Sequence, residues 1–181
     1  GLFAIDIEFR AELSNHLHVV LRTMPRVAKR WTPEEVVRRW LTITKLAKCM
    51  SDELPQPDQK KVERLARDKK LVAKLRRRLS SVSWFMGILC ENIGRRANLE
   101  DDCKGRFFEN RFKCRECTDE SALLLCGIYV DLNPYRAGEA DDPLGSPCTS
   151  IFQRLESQGL RRNASGRPDG WMSELTLAPE R

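Results

Sequence analysis

Apolar and polar positions alternate along the first stretch of the chain, "LFAIDIEFRAEL", with Ile5, Ile7 and Phe9 on one side. A period of two predicts a β-strand. Ser14 and Asn15 supply turn chemistry, and "HLHVVLRT" reads as a second, antiparallel strand, so Leu2 to Thr23 is predicted as a hairpin. The period then becomes helical. In residues 33 to 50, "PEEVVRRWLTITKLAKCM", Thr32 stands as N-cap, Pro33 at the first helical position and Glu35 at the capping-box spacing. Val36, Trp40, Ile43, Leu46 and Ala47 give the apolar stripe. "ELPQPD" is a break. Residues 58 to 79 read as one very basic helix with a thin stripe of Val62, Leu65, Leu71 and Leu75. Residues 80 to 98 read as another, with Trp84, Met86, Ile88, Leu89 and Ile93 as core candidates. "GRFFENRFKC" is predicted as a short aromatic strand pair. Asp119 caps a last helix carrying Leu123, Cys126 and Tyr129, and Pro134 ends it at Asn133, because the residue before a proline is pushed out of helical geometry. After "NPYRAG" the chain reads as loop-rich, with "GLRRNASGRPDG" as a linker or flexible arm.

Composition narrows the classes. The chain has 181 residues, 41% of them hydrophobic, enough for a real core. Lys and Arg outnumber Asp and Glu by 32 to 26, a net charge of +6, which suits nucleic acid but also an ordinary basic surface. No apolar run approaches a membrane span, and no signal peptide opens the sequence. Seven scattered cysteines do not make a secreted disulfide framework. A cytoplasmic setting is expected. Cys114 and Cys117 form one CxxC, but Cys103 and Cys126 stand at no standard zinc spacing, so a zinc site is not expected. The apolar start at Gly1 and the ending "WMSELTLAPER" read as cuts through a longer protein.

The chemistry-bearing residues are few. His16 and His18 are the two histidines of the chain, two apart on a predicted strand and so on one face. Two such imidazoles can hold a divalent metal, although HxH alone is weak and more often an exposed strand pair. Tyr129 and Asn133 are four apart, one helical turn on the same face. Asn133 then sits at a frayed helix end with an oxygen free to act as a third ligand. A phenol beside a metal is a candidate nucleophile toward phosphorus, the metal polarising the phosphate. Taken singly, Tyr129 is as well explained as a half-buried core tyrosine, and "NPYRAG" as a helix stop followed by a turn.

Together, "SNHLHVVLRT", "FMGILCENIGRRAN", "GRFFENRF" and "YVDLNPYRAG" resemble, in order, the signature blocks of the REP-associated tyrosine transposases, single-tyrosine members of the HUH endonuclease superfamily. The resemblance implies an α+β, ferredoxin-like fold over residues 1 to 155, an antiparallel sheet with helices packed on it. The first strand and helix would be missing, residues 31 to 80 would be a helical insertion, and residues 156 to 181 a loop-rich extension. It implies Mg²⁺ or Mn²⁺ held by His16, His18 and Asn133. It implies Tyr129 as the nucleophile that cuts single-stranded or hairpin DNA through a 5′-phosphotyrosine link. Arg95, Arg96, Arg106, Arg111 and Arg136 are the candidate DNA-phosphate contacts, with Arg136 equally readable as a helix-end arginine capping carbonyls. The implied role is DNA transposition and recombination at the nucleoid, with a homodimer allowed and no membrane partner. Tyr135 replaces a small apolar residue of the family's pattern, and Phe108 a tryptophan. The competing expectations are a DNA-binding remnant that keeps the fold without turnover, and a basic regulatory protein in which HxH and the tyrosine are incidental.

Overall fold

A computed structural model describes residues 1–46 and 53–159. The elements, numbered in chain order, are β1 (Ile5–Glu12), β2 (Leu17–Thr23), α1 (Pro25–Arg30), α2 (Pro33–Leu46), α3 (Gln59–Ala66), α4 (Lys69–Leu79), α5 (Val82–Glu100), α6 (Glu120–Asp131), α7 (Asn133–Arg136) and α8 (Ser150–Ser157). The class is α+β. Among the described residues the sheet is the antiparallel pair β1–β2. The chain divides into two compact units, Gly1–Ile5 with Thr23–Cys114, and Asp6–Arg22 with Arg115–Arg181.

The first unit is helical. Thr32 Oγ1 accepts the Glu35 N–H at 3.2 Å, which starts α2 as the capping spacing predicts. Val36, Val37 and Ile43 of α2 meet Val62 and Ala66 of α3 and Val72, Leu75 and Leu79 of α4 in one buried cluster. The single helix expected over residues 58 to 79 is two. Asp68 accepts the Leu71 N–H at 3.0 Å and restarts the helix as an N-cap. The break turns the chain, so that α3 and α4 both pack on α2. Arg78 lies over two indoles, 5.1 Å from the ring centre of Trp40 and 4.1 Å from that of Trp84. Residues 47 to 50, expected to continue α2, lie outside the described residues.

The expected strand pair at "GRFFENRFKC" is absent; residues 101 to 118 are irregular among the described residues. Gly105, at φ +122°, adopts a backbone that side-chain-bearing residues avoid, which is incompatible with a regular strand start.

In the second unit, Phe9, Ala11 and Val20 of the hairpin pack with Val130 of α6, and Leu123 and Cys126 lean on them. Glu8, 2% exposed, pairs with Arg22 at 2.7 Å, so a buried carboxylate in the strand has a cation. α8 corrects the loop-rich expectation after "NPYRAG". Thr149 caps it by accepting the Phe152 N–H, and Asp131 at the end of α6 accepts the Ser150 hydroxyl and the Ile151 N–H. Burial pushes the Asp131 carboxyl up, and these donors partly offset that. Most of "GLRRNASGRPDG" lies outside the described residues. No helix among the described residues is long and apolar enough to cross a membrane.

Candidate active site

The second unit brings together residues from the two ends of the sequence. His16 lies just before β2 and His18 within it, with ring centres 4.7 Å apart at 87°. The Asn15 side-chain oxygen lies in hydrogen-bonding contact with His16 Nδ1. A proton on Nδ1 satisfies that oxygen and leaves Nε2 as the nitrogen with the lone pair, the way a neighbouring acceptor fixes a histidine tautomer. Burial, and next the proximity of His16, lower the His18 pKa, which favours the neutral imidazole.

Asn133 reaches this strand across the fold. Its Nδ2 is 3.1 Å from His18 Nε2. Its surroundings correct the picture of a frayed helix end. Asn133 is buried, it opens α7, and its carbonyl accepts the Ala137 N–H at 2.9 Å. Pro134 does not stop the chain from coiling. It separates α6 from α7 and then occupies the first turn of α7, where a proline's missing N–H costs nothing. Rotating the Asn133 amide by half a turn would present Oδ1 to His18 in place of Nδ2.

Tyr129 stands one turn before Asn133 on α6. Its ring meets that of His18 edge-on, with centres 5.9 Å apart at 83°, and the residue is 47% exposed. The Arg136 guanidinium lies 5.3 Å from the Tyr129 ring centre, a cation–π distance, so Arg136 belongs to the cluster. Tyr135 is equally exposed on the short α7.

Two further residues shape the site and were not expected. Glu139, after α7, accepts both the backbone N–H of Ser14 at 3.0 Å and its hydroxyl at 2.7 Å. The carboxylate thereby ties the hairpin turn leading into His16 to the segment that follows Asn133. The Ser14 hydroxyl, the Ser14 N–H and more weakly His16 hold the Glu139 carboxyl below its ordinary pKa. Asp131, between Tyr129 and Asn133, anchors the end of α6 to α8 through Ser150 and Ile151.

Among the described residues no three His, Cys, Asp or Glu side chains gather in a way that could hold a metal ion. What the fold does bring together is the two imidazole rings and the Asn133 amide, which meets His18 Nε2. With the Asn133 oxygen turned toward His18, the set would be two nitrogens and one oxygen. Cys114 and Cys117 are exposed and not disulfide-bonded.

The remaining candidate arginines belong to the first unit. Arg95 on α5 pairs with Glu91 at 2.6 Å. Arg106 donates to the Glu109 carbonyl at 3.3 Å, and Arg111 lies with both on the wall of one open cavity of about 580 Å³. Arg96 also lies on α5. No family model matches the chain, and no curated protein or solved structure matches it.

Proposed function

We propose that this chain carries the cleavage site of a single-tyrosine, HUH-type transposase acting on single-stranded DNA at hairpin-forming repeats. The observation that carries the reading is the meeting of His18 with Asn133 at 3.1 Å, with the rings of His16 and Tyr129 both edge-on to that of His18. Packing of α6 on the hairpin brings the two segments together, and the polar contact between His18 and Asn133 is what the reading rests on. The four sequence blocks, taken in order, supply the choice of substrate. In this reading the hairpin and α6 belong to a ferredoxin-like sheet-and-helix layer, with α2 to α4 as an insertion of their own.

The chemistry is a transesterification. The Tyr129 oxygen attacks a DNA phosphorus, the bond to the 3′-oxygen breaks, and a 5′-phosphotyrosine and a free 3′-hydroxyl result. One phosphodiester replaces another, so no ATP is consumed, and the 3′-hydroxyl can reverse the step. The phenolic proton leaves to solvent, and the departing 3′-oxygen takes one up. A divalent cation on His16, His18 and Asn133 would supply charge neutralisation at the phosphate. Asn15 holds the His16 tautomer, Glu139 holds the turn, and Arg136 lies where a phosphate next to Tyr129 would need a counter-charge.

The direct test is a denaturing gel. The protein is incubated with 5′- and 3′-labelled single-stranded oligonucleotides from a hairpin library. A Mn²⁺-dependent, chelator-sensitive adduct that keeps the DNA 3′ to the cut is expected. No adduct with any member of the library, under conditions where the DNA binds, would leave a DNA-binding remnant instead. Metal binding gives a separate readout. Titration calorimetry should show Mn²⁺ binding to the unaltered chain and about tenfold or more weaker binding to His16→Ala. Unchanged affinity would place the metal elsewhere.

A further inference from the structure

The cavity of the first unit has the makings of a base-binding site, a role that the phosphate contacts above do not include. Its floor is α5 and its rim is the irregular segment after it. That segment is pinned at several points. Asn98 Nδ2 donates to the Gly105 carbonyl at 2.9 Å, and the Cys103 N–H to the Asn98 carbonyl at 2.8 Å. Gly94 on α5 is the close-approach point. A Cβ there would stand 3.1 Å from the Phe107 Cβ, so the absence of a side chain lets the stem of Phe107 lie directly on the helix.

The fixed segment holds an aromatic ring outward. Phe107 is 47% exposed, and the edge-on packing of its ring against Phe108, at 5.0 Å and 86°, fixes its direction. Burying a phenyl ring is favourable, and a hairpin or helix could have done so. Here the ring stands on the wall of an open cavity beside Arg95, Arg106 and Arg111, against Glu91 and Glu109. A flat apolar face beside guanidinium groups, with the Asn110 amide on the same wall, matches a nucleobase and its neighbouring phosphates. A purely apolar protein segment would strip water from these guanidinium groups and add no counter-charge to the Glu91 partner of Arg95 and the Glu109 carbonyl that takes Arg106.

We infer that this cavity takes an unpaired base of single-stranded DNA, stacked on Phe107, with Arg106 and Arg111 toward the flanking phosphates. The inference rests on the single-stranded DNA substrate proposed above, but not on cleavage. Its test therefore uses binding alone. The full chain is titrated, by fluorescence anisotropy, with a labelled thymidine 20-mer and with a 20-mer of abasic sites having the same backbone. Phe107→Leu keeps the stem that packs on Gly94 and removes the ring, and Phe107→Trp keeps a ring. Phe107→Leu should weaken binding of the thymidine oligomer on the order of tenfold and leave the abasic oligomer within about twofold. Phe107→Trp should restore the difference. Equal effects on the two oligomers, or none on either, would overturn the stacking site while leaving the transposase reading to its own adduct assay. Thymidine monophosphate alone, with one base and no chain of phosphates, should not compete below millimolar concentration. Micromolar competition would reassign the cavity to free nucleotides. Failure of both oligomers to bind the unaltered chain would remove this proposal, and adduct formation would still decide the other.

Discussion

Tyr129→Phe should abolish covalent attachment to DNA, lowering adduct formation by about a thousandfold or more, with little change in DNA binding or thermal stability. The ring of Tyr129 is held by packing. It meets His18 edge-on and lies under the Arg136 guanidinium, and phenylalanine satisfies both contacts. Only the oxygen is lost. Tyr129 is 47% exposed, so no buried hydrogen-bond partner is orphaned by the change, and stability should stay within about 0.5 kcal/mol. Tyr135 is the internal control. It is as exposed as Tyr129 and lies on the short α7, but the ring packed against His18 is that of Tyr129. Tyr135→Phe should leave the adduct largely intact. An adduct that survives Tyr129→Phe and disappears with Tyr135→Phe would move the nucleophile to α7.

The legible parts of this fold are those written in short-range periodicity. The hairpin was readable because Ile5 and Phe9 alternate with polar residues and Ser14–Asn15 interrupts them. The start of α2 was readable because Thr32, Pro33 and Glu35 each suit one position of a helix N-terminus. The break between α3 and α4 was not readable. Lys, Arg and Leu are good helix formers on both sides of it, and only Asp68, acting as a cap, marks the restart. The aromatic stretch after Gly105 carried strand propensity without strand geometry, since β-propensity reflects packing that this exposed segment does not have. α8 carries a sequence signal of its own: Thr149 stands as N-cap before an apolar Ile151–Phe152 pair.

The candidate site was half legible. Local spacing put His16 with His18 and Tyr129 with Asn133. No local pattern joins the two pairs, since the contact between His18 and Asn133 spans 115 residues. Only the order of the four blocks linked them beforehand. Ser14 is marked as a turn residue, but nothing in the sequence marks its bond to Glu139, 125 residues away. Burial, too, departs from the expected picture at Asn133. The spacing with Pro134 suggested an exposed helix end, but in the fold α7 continues the coil and closes over it.

Gly127→Ala should destabilise the second unit although alanine is the better helix former. Gly127 lies in the middle of α6, where alanine would ordinarily gain about 1 kcal/mol. Here the helix rests directly on β1. A Cβ at Gly127 would fall 2.5 Å from both Cε1 and Cε2 of Phe9, about 1 Å inside normal carbon contact. The ring has little room to yield. Phe9 is 5% exposed, packs with Ala11, Val20 and Val130, and has the Arg154 guanidinium 4.8 Å from its centre. Overpacking of this kind costs about 1–3 kcal/mol and here falls at the upper end, so the net loss should be about 2 kcal/mol. For a chain of this size that lowers Tm by roughly 4–8 °C, measurable by thermal denaturation. Because Tyr129 stands two residues further along α6, the same displacement should also reduce adduct formation. Phe9→Leu provides the compensating change. Alone it should destabilise by leaving space, but combined with Gly127→Ala the two losses should sum to less than their separate values. Strict additivity would mean that the ring of Phe9 does not set the distance between β1 and the helix that carries Tyr129.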